Sequence, residues 1–523
     1  MHRAAMRRRA LPLAPAAAAA ALRPRCCHRR AASAPQEPQL GLLLLAPSRG
    51  AFRQPPPPPP AHIRRRLRHL ARLRGQAELE TEWQELWQKH LHTNRGQEKR
   101  QRESNKALRS GELGWARGGA SLRREPVPYS TAAAEAYAFR RFCPAHAHHT
   151  RVMQELVEML GEDFAPRRVI DFGCGPGAGL AAARQLWPGS VTECVGVDAS
   201  LGMQGAAEVL LAPDLDDDPT PLLDGSASAG AGGGGSTALR LVHDLPSALA
   251  AEPTAGFDLA IVSSTLSELP SDDARIDTLA ALWGCLGPGG VLLVQEHGGA
   301  VGGRTVAGAR AELLQLAPAG AVEMLTPSPH TEPHCPVVAI GLERKNPSWL
   351  HFAQRVPNTA PLRRGQGKAP TVSESTAYFT ARKPTTTAQP AAVEQEEEEE
   401  GEGWTVSEVV LQLLEVGASD GKQAAHSAAA ALAHQVTQDS GCAAASPPYQ
   451  PSSWARIIAP PVKGKRQVTM QLLSPHGTVE SLVVSKRAWA AVPGAYTMAR
   501  RAEWGGLWPY PTPQSPAVHS NGT

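Results

Sequence analysis

The residues best placed to do chemistry lie in VIDFGCGPGAG, Val169 to Gly179. A short apolar run ends at Asp171, and glycines follow at 173, 175, 177 and 179. Glycine tolerates positive φ and lets a ligand touch the backbone, so this spacing predicts a strand-to-helix turn. The following LAAARQLWP opens a helix whose free N–H groups aim at whatever the loop holds. Such a loop suits a nucleotide-like cofactor. Gly173, Gly175 and Ala178 also satisfy the loose dinucleotide fingerprint, so nicotinamide chemistry has to be weighed.

Two features favour S-adenosylmethionine (AdoMet). Asp171 sits two residues before Gly173, giving the D-x-G-x-G-x-G form typical of AdoMet enzymes, and the further stations of that fold follow in order. TECVGVDAS (192–200) reads as a second strand ending at Asp198, whose carboxylate can accept both ribose hydroxyls. ALRLVHDL supplies a third strand, with Asp244 placed to meet an adenine amino group. FDLAIVSSTLSELP (257–270) is a fourth strand, beginning near Asp258; its exit, Ser263 to Glu268, forms the rim at the cofactor's reactive end. LWGCLGPGGVLLVQE (282–296) reads as a helix, a turn and strand five, while AVEML (321–325) and STAYFTARK (375–383) supply strands six and seven. Alternating strands and helices predict an α/β fold, a class I AdoMet-methyltransferase-like doubly wound sheet. The expected cofactor-binding residues are Asp171, Gly173, Gly175, Gly177, Asp198 and Asp244.

A methyl-acceptor site is harder to find. Amino-methylating enzymes of this fold carry (N/D)PP(Y/F) after strand four, where this chain has SSTLSELP. A cytosine-C5 enzyme needs a catalytic cysteine, and none stands there. Ser267 and Glu268 read as a capping pair opening the next helix. No catalytic residue is assigned.

The 523-residue chain carries a formal charge of +4, but the first 36 residues hold eight arginines and no Asp or Glu. An Arg- and Ala-rich, acid-free start predicts an organelle transit peptide. Without it, 45 basic face 49 acidic side chains. No uncharged 18-residue apolar run predicts a membrane span, and the eight cysteines form no CxxC pair.

After Pro55–Pro60, HIRRRLRHLARLR (62–74) places Ile63, Leu67, Leu70 and Leu73 at helical spacing among six arginines. It reads equally as a solvated basic or targeting helix and as a phosphate-contacting arm. Residues 75–125 look helical and highly charged. Residues 126–160 are helical by periodicity, and His146, His148 and His149 are expected on a surface helix. The expected organisation is a transit peptide (1–36), a basic and helical extension (37–125), the AdoMet-type domain (126–383), a low-complexity linker (384–452), a small β-rich module (453–512) and a tail (513–523). Within these, 212–237 reads as a flexible insertion and 404–416 as an amphipathic helix.

In the module, Val468, Met470 and Leu472 alternate with polar residues before Ser-Pro-His-Gly turns the chain into TVESLVV, a β-hairpin pattern. Lys463, Lys465, Arg466, Lys486, Arg487, Arg500 and Arg501 surround it, interleaved with Trp454, Trp489, Tyr496, Trp504 and Trp508. That mixture suits RNA-backbone contact with base stacking, or an aromatic core with a basic rim. Lys463, Lys465, Arg466, Arg500 and Arg501 are the expected RNA-binding residues.

PVPYSTAAAEAYAFRRFCPA, DFGCGPGAGLAAA, STLSELPSDDAR, TPSPHTEPHCP, SWLHFAQRV and RRAEWGGLWP together resemble the methyltransferase-like protein seventeen family of mitochondrial small-ribosomal-subunit assembly factors. The resemblance covers about residues 126–383 and 453–509. It implies a mitochondrial-matrix protein with an AdoMet-type fold, bound to small-subunit rRNA and ribosomal proteins, not to DNA or a membrane. It also implies little or no methyl transfer; the alternative is an active AdoMet-dependent rRNA methyltransferase. It further implies a four-cysteine iron–sulfur (4Fe-4S) cluster, from which this chain departs. The implied C-P-H-x4-C-P stands as Ser328-Pro329-His330 and Cys335-Pro336, W-C-H-F as Trp349-Leu350-His351-Phe352, and a fourth cysteine aligns with Ser474. Cys335 alone is retained, and serine or leucine cannot replace soft thiolate ligands, so the cluster is expected to be lost. His330, His334 and His351 could form another metal site with Cys335, against a metal-free loop held by packing.

Overall fold

In a computed structural model of the chain, the described residues are 56–91, 115, 127–161, 163–213, 237–250, 256–318, 320–332, 337, 350–357, 371–385, 454–490, 492 and 494–510. The expected transit peptide, most of the insertion expected at 212–237, most of the expected linker, the helix expected at 404–416, His334 and Cys335 lie outside them.

The strands expected to build an AdoMet-type sheet do so. β1 (Arg168–Phe172), β2 (Glu193–Val197), β3 (Ala238–Val242), β4 (Phe257–Ser263) and β5 (Leu286–His297) pair in parallel, in the order β3-β2-β1-β4-β5. β6 (Glu323–Thr326) is outermost, with β8 (Thr371–Arg382) inserted antiparallel between β5 and β6. SWLHFAQRV holds a strand that its sequence did not announce: β7 (Phe352–Pro357) pairs antiparallel with the first half of β8. The central strands are buried on both faces, which is why they read as unbroken apolar runs rather than alternating ones.

The helices between the strands start at side-chain caps. Ser200 accepts from the Met203 N–H at the start of α5 (Leu201–Leu211), and Ser271 accepts from the Ala274 N–H at the start of α7 (Asp272–Gly284). Ser271 therefore does the capping expected of Ser267 and Glu268. Ser267 instead gives its Oγ–H and N–H to Glu296 on β5, at 2.9 and 3.0 Å.

Before the sheet, α1 (Ala61–Arg74) and α2 (Gln76–Leu86) lead to α3 (Thr131–Leu160), which ends at Gly161. Along the sheet run α4 (Ala178–Leu186) and α5, with α6 (Leu245–Ala250) after β3 and α8 (Ala300–Leu316) after β5. His146, His148 and His149, expected on a surface, are buried. The reason is packing on several sides: α3 touches α2, α4, α5 and β7, so little of its circumference is left to water. The arginine-rich α1 also docks. Ile63 and Leu67 enter the main core, and Arg66 donates to the Leu210, Ala212 and Pro213 carbonyls, capping the C-terminal end of α5. Arg64, Arg65, Arg68 and Arg72 stay exposed.

The C-terminal residues build a second sheet, β10-β11-β9-β13 with β12 on β11, from β9 (Ala455–Ile457), β10 (Val462–Lys463), β11 (Gln467–Leu473), β12 (Val479–Ser485) and β13 (Leu507–Trp508). α9 (Ala495–Arg501) packs on it. Trp489 and Trp508 are buried in this sheet's interior and Trp454 is buried against Leu507, so for these three the structure favours the aromatic core over a stacking face. A buried ion network joins the two sheets. Arg456 donates to both carboxylate oxygens of Glu155 on α3 (3.1 and 3.2 Å), to the Pro327 carbonyl (3.2 Å) and to the Gly505 carbonyl (2.7 Å). Arg151 (3.1 Å) and the Tyr378 hydroxyl (2.9 Å) complete the shell of Glu155.

Candidate cofactor cavity

β1 stops at Phe172, and Gly173, Gly175 and Gly177 then take φ of 71°, 52° and 86°. At Gly173 a Cβ would collide with the Thr265 side chain at 2.0 Å, so the turn after β4 rests directly on the loop. Gly177 begins α4, and the Gly173 and Cys174 N–H groups bond the Val197 carbonyl at the end of β2. The loop is thereby pinned between the ends of β1, β2 and β4.

A cavity of about 950 Å³ opens above these strand ends, at the upper end of the size range of small-molecule sites. All six expected cofactor residues but Gly177 line it. Asp171 is buried, and burial, with Asp198 second, pushes its carboxyl up to about 8. Asp198 accepts the Gly175 N–H on Oδ2 (2.8 Å) and the Ser200 N–H on Oδ1 (2.9 Å). Each oxygen keeps a further lone pair for a ligand. Burial raises its carboxyl, against the lowering effect of these two N–H groups. Asp244 caps α6 by accepting the Ser247 N–H at 2.7 Å, which lowers its carboxyl.

Sequence reasoning missed the far wall. Arg141 on α3 grips Glu374 with two hydrogen bonds (2.9 and 3.1 Å), and His148 Nε2 lies 3.5 Å from the same carboxylate. Burial pushes the Glu374 carboxyl up, but His148 and Arg141 more than offset it and leave it well below the usual carboxylate range. The signal was present, as a polar cluster recurring on one helix, but its partner lies 226 residues away from His148 on β8. His149, also lining the cavity, is lowered to about 3 by burial and its histidine neighbours.

Around the implied cluster ligands the chemistry is different. Ser328 is buried. Ser474 Oγ is 2.7 Å from the Thr478 hydroxyl and accepts the Thr478 N–H at 3.0 Å, closing the β11–β12 turn. Leu350 packs against the main core. His330 lies against the Arg310 guanidinium (Nη2 to Nδ1, 3.2 Å), and His351 meets the Trp504 ring edge-on at 5.1 Å. These described positions offer hydroxyls and a methyl-branched side chain where thiolates are needed, so they do not fit a four-cysteine cluster. Among the described residues no group of three or more His, Cys, Asp or Glu could hold a metal ion.

The basic residues of the second sheet form its outer surface. Lys463, Lys465, Arg466, Arg500 and Arg501 are exposed. Lys463, Lys465 and Arg466 flank the tight β10–β11 connection, and Arg500 donates to its Gly464 carbonyl at 2.7 Å. Four of the five therefore cluster on one rim.

The profile of the family described as mitochondrial small ribosomal subunit Rsm22 matches residues 131–401 and 420–509, spanning the two sheets. The chain belongs to the Rsm22 family. A human relative, the mitochondrial ribosome assembly protein METTL17, is 28% identical over 178 residues, covering 33% of this chain and 34% of that protein. The chain thus spans about a third of the length of the curated relative it matches. Similar solved structures include a plantazolicin methyltransferase with S-adenosyl-homocysteine (AdoHcy), 12% identical, covering 55% of this chain and 98% of that one at a TM-score of 0.28. A putative RNA methyltransferase from Pyrococcus horikoshii is also 12% identical, covering 46% and 84% at a TM-score of 0.25. Among the described residues of this Rsm22-family chain, no helix is long and apolar enough to cross a membrane.

Proposed function

We propose that this Rsm22-family chain is a mitochondrial small-ribosomal-subunit assembly factor that holds AdoMet in its glycine-loop cavity and grips small-subunit rRNA. The observation that carries the reading is the family match across both sheets. In this reading residues 1–36 direct the chain to the matrix. AdoMet rests on Asp171 and the glycine loop, with Asp198 toward the ribose hydroxyls and Asp244 toward the adenine amine. When bound, AdoMet supplies an electrophilic methyl group. The chain's own residues bind and orient it and exclude water, and no residue of the Ser263–Glu268 rim is assigned to catalysis.

The RNA grip is electrostatic. Lys463, Lys465, Arg466, Arg500 and Arg501 contact phosphates, and each phosphate neutralised adds roughly 0.7–0.9 to the slope of log affinity against log salt. Ribosomal proteins of the maturing subunit are the remaining partners, and the iron–sulfur cluster is absent from this chain. A second reading, an active rRNA methyltransferase, draws on the cavity volume, which is more than a nucleoside-sized cofactor fills.

One comparison separates the two. In cells lacking the chain, Lys463→Ala/Lys465→Ala/Arg466→Ala, which should also flatten the salt slope of the purified protein, should impair small-subunit maturation more than Asp198→Ala does. Loss of one specific rRNA methyl mark in the Asp198→Ala cells, with the greater maturation defect, would establish the enzyme instead.

A further inference from the structure

The arginine-rich α1 is fixed to the domain along one face and leaves the opposite face to water. Ile63 and Leu67 enter the main core, Leu70 packs against a second cluster, and Arg74 pairs with Glu78 and Glu135 at 3.0 Å. The proline run before it is held as well. The Pro58 carbonyl accepts from Gln185 Nε2 on α4 (3.2 Å), and Pro56 and Pro59 are buried. α1 is therefore a fixed ridge of the fold, and it lies ahead of residue 131, where the family match begins.

Arg64, Arg65, Arg68 and Arg72 occupy the outer face, within a sector of about 100° and a length of about 12 Å at helical geometry. The helix holds no acidic residue. Arg64 and Arg68 give their Nε–H to the Pro59 and Arg64 carbonyls (3.1 and 3.2 Å), neutral acceptors that leave the charge unbalanced. Among the described residues no carboxylate pairs with Arg64, Arg68 or Arg72. This arrangement works against the helix itself. Arg64 with Arg68, and Arg68 with Arg72, are like-charge pairs at i,i+4, and Arg64 stands in the first turn, where the helix dipole disfavours a cation. Burial of the inner face holds the helix despite them. A polyanion laid along the stripe would relieve both.

The chemistry of the face chooses among polyanions. An interfacial membrane helix must have its apolar stripe free to insert, and here that stripe is in the core. A protein interface is anchored by apolar or aromatic side chains, and the sector holds none larger than Ala61. Guanidinium forks match phosphate two hydrogen bonds at a time. We propose that the outer face of α1 is a second RNA-contact surface, in addition to the basic rim of the C-terminal sheet, on which Arg64, Arg68 and Arg72 hold phosphates of the RNA backbone. The inference rests on the reading that the chain grips rRNA.

The test reads salt slopes. The full chain and its Arg64→Gln/Arg68→Gln/Arg72→Gln variant are titrated against a transcript of the small-subunit rRNA over a range of potassium chloride concentrations. Loss of three phosphate contacts should flatten the slope of log affinity against log salt by roughly 2 to 3. The same flattening should appear with an unrelated transcript of equal length, because phosphate contacts carry no sequence information. The urea midpoint should stay at the wild-type value, since the three side chains are exposed. Arg64→Lys/Arg68→Lys/Arg72→Lys, which keeps the charges, should keep most of the slope. A slope that the glutamine variant leaves unchanged, while Lys463→Ala/Lys465→Ala/Arg466→Ala flattens it, overturns the surface and leaves the RNA grip standing. Equal flattening by the glutamine and lysine variants also overturns it, since charge would not be the cause. Binding to cardiolipin-containing vesicles that the glutamine variant loses, at an unaltered RNA slope, assigns the face to a membrane instead. If the wild-type chain binds no transcript, the grip and the surface fall together.

Discussion

Replacing Arg456 by methionine keeps most of the side chain's length and removes its charge and its donors. Four hydrogen bonds of 2.7 to 3.2 Å disappear, two of them to Glu155. Glu155 is 2% exposed and cannot return to water without opening the contact between α3 and the second sheet. Burial pushes its carboxyl up, but Arg456 and Arg151 more than offset this and hold it lowered. Breaking a buried pair by removing one partner costs about 3–5 kcal/mol, because the remaining charge is stranded. Arg151 and Tyr378 remain, so the lower half of that range is expected. The Pro327 and Gly505 carbonyls also lose a donor, which works against this relief. Urea unfolding followed by tryptophan fluorescence should show a lower midpoint at unchanged slope, while exposed Arg487→Met changes stability by no more than about 0.5 kcal/mol. A loss for Arg456→Met no larger than for Arg487→Met would refute the claim that this ion network holds the sheets together.

Asp198→Ala should weaken AdoMet binding, at about 1.5–3 kcal/mol for each hydrogen bond to charge that is lost; equal calorimetric affinities in variant and wild type would remove Asp198 from the site. Asp171 ionises near 4 when unfolded and near 8 in the fold. Its contribution to stability is therefore present below about pH 4 and lost as pH rises to about 8. Melting temperatures of the AdoMet-free chain should fall across that window more steeply in wild type than in Asp171→Asn, and parallel curves would contradict the assignment. Anaerobic reconstitution followed by iron and sulfide analysis should yield no stoichiometric four-iron content. A four-iron content that depends on Cys335 would show that ligands other than Ser328, Leu350 and Ser474 complete a cluster.

The parallel half of the fold was legible because each of its signals is local. Asp171 and the glycines mark one turn, and the apolar runs mark strands buried on both faces. β7 escaped because SWLHFAQRV carries Arg355 and Gln354 among its apolar residues, and its pairing with β8 was not visible in its own sequence. The histidines of α3 were misplaced for a related reason. Polar residues at helical spacing predict a wet face, and only the arrival of α2, α4, α5 and β7 around the helix makes that face dry. The module's tryptophans show the converse, since composition alone does not separate a stacking platform from a core. Glu374 was invisible as a partner because it stands far along the chain from Arg141 and His148.

The insertion of β8 between β5 and β6 sets an order of arrival. A chain that emerges from its N-terminus can complete β1 to β5 first, but β5 then has no neighbour on one side until residues 371–382 appear. For that interval Val291, Leu292, Leu293 and Val294 present an unpaired, apolar strand edge, the kind that templates pairing between chains. β6 cannot protect it, because β6 reaches the sheet only through β8. Long-range pairing of this kind is slow to form and exposes the chain to aggregation. Substitutions that weaken β8 should therefore reduce the yield of soluble chain by more than their effect on the finished fold, with aggregation growing through the bare side of β5.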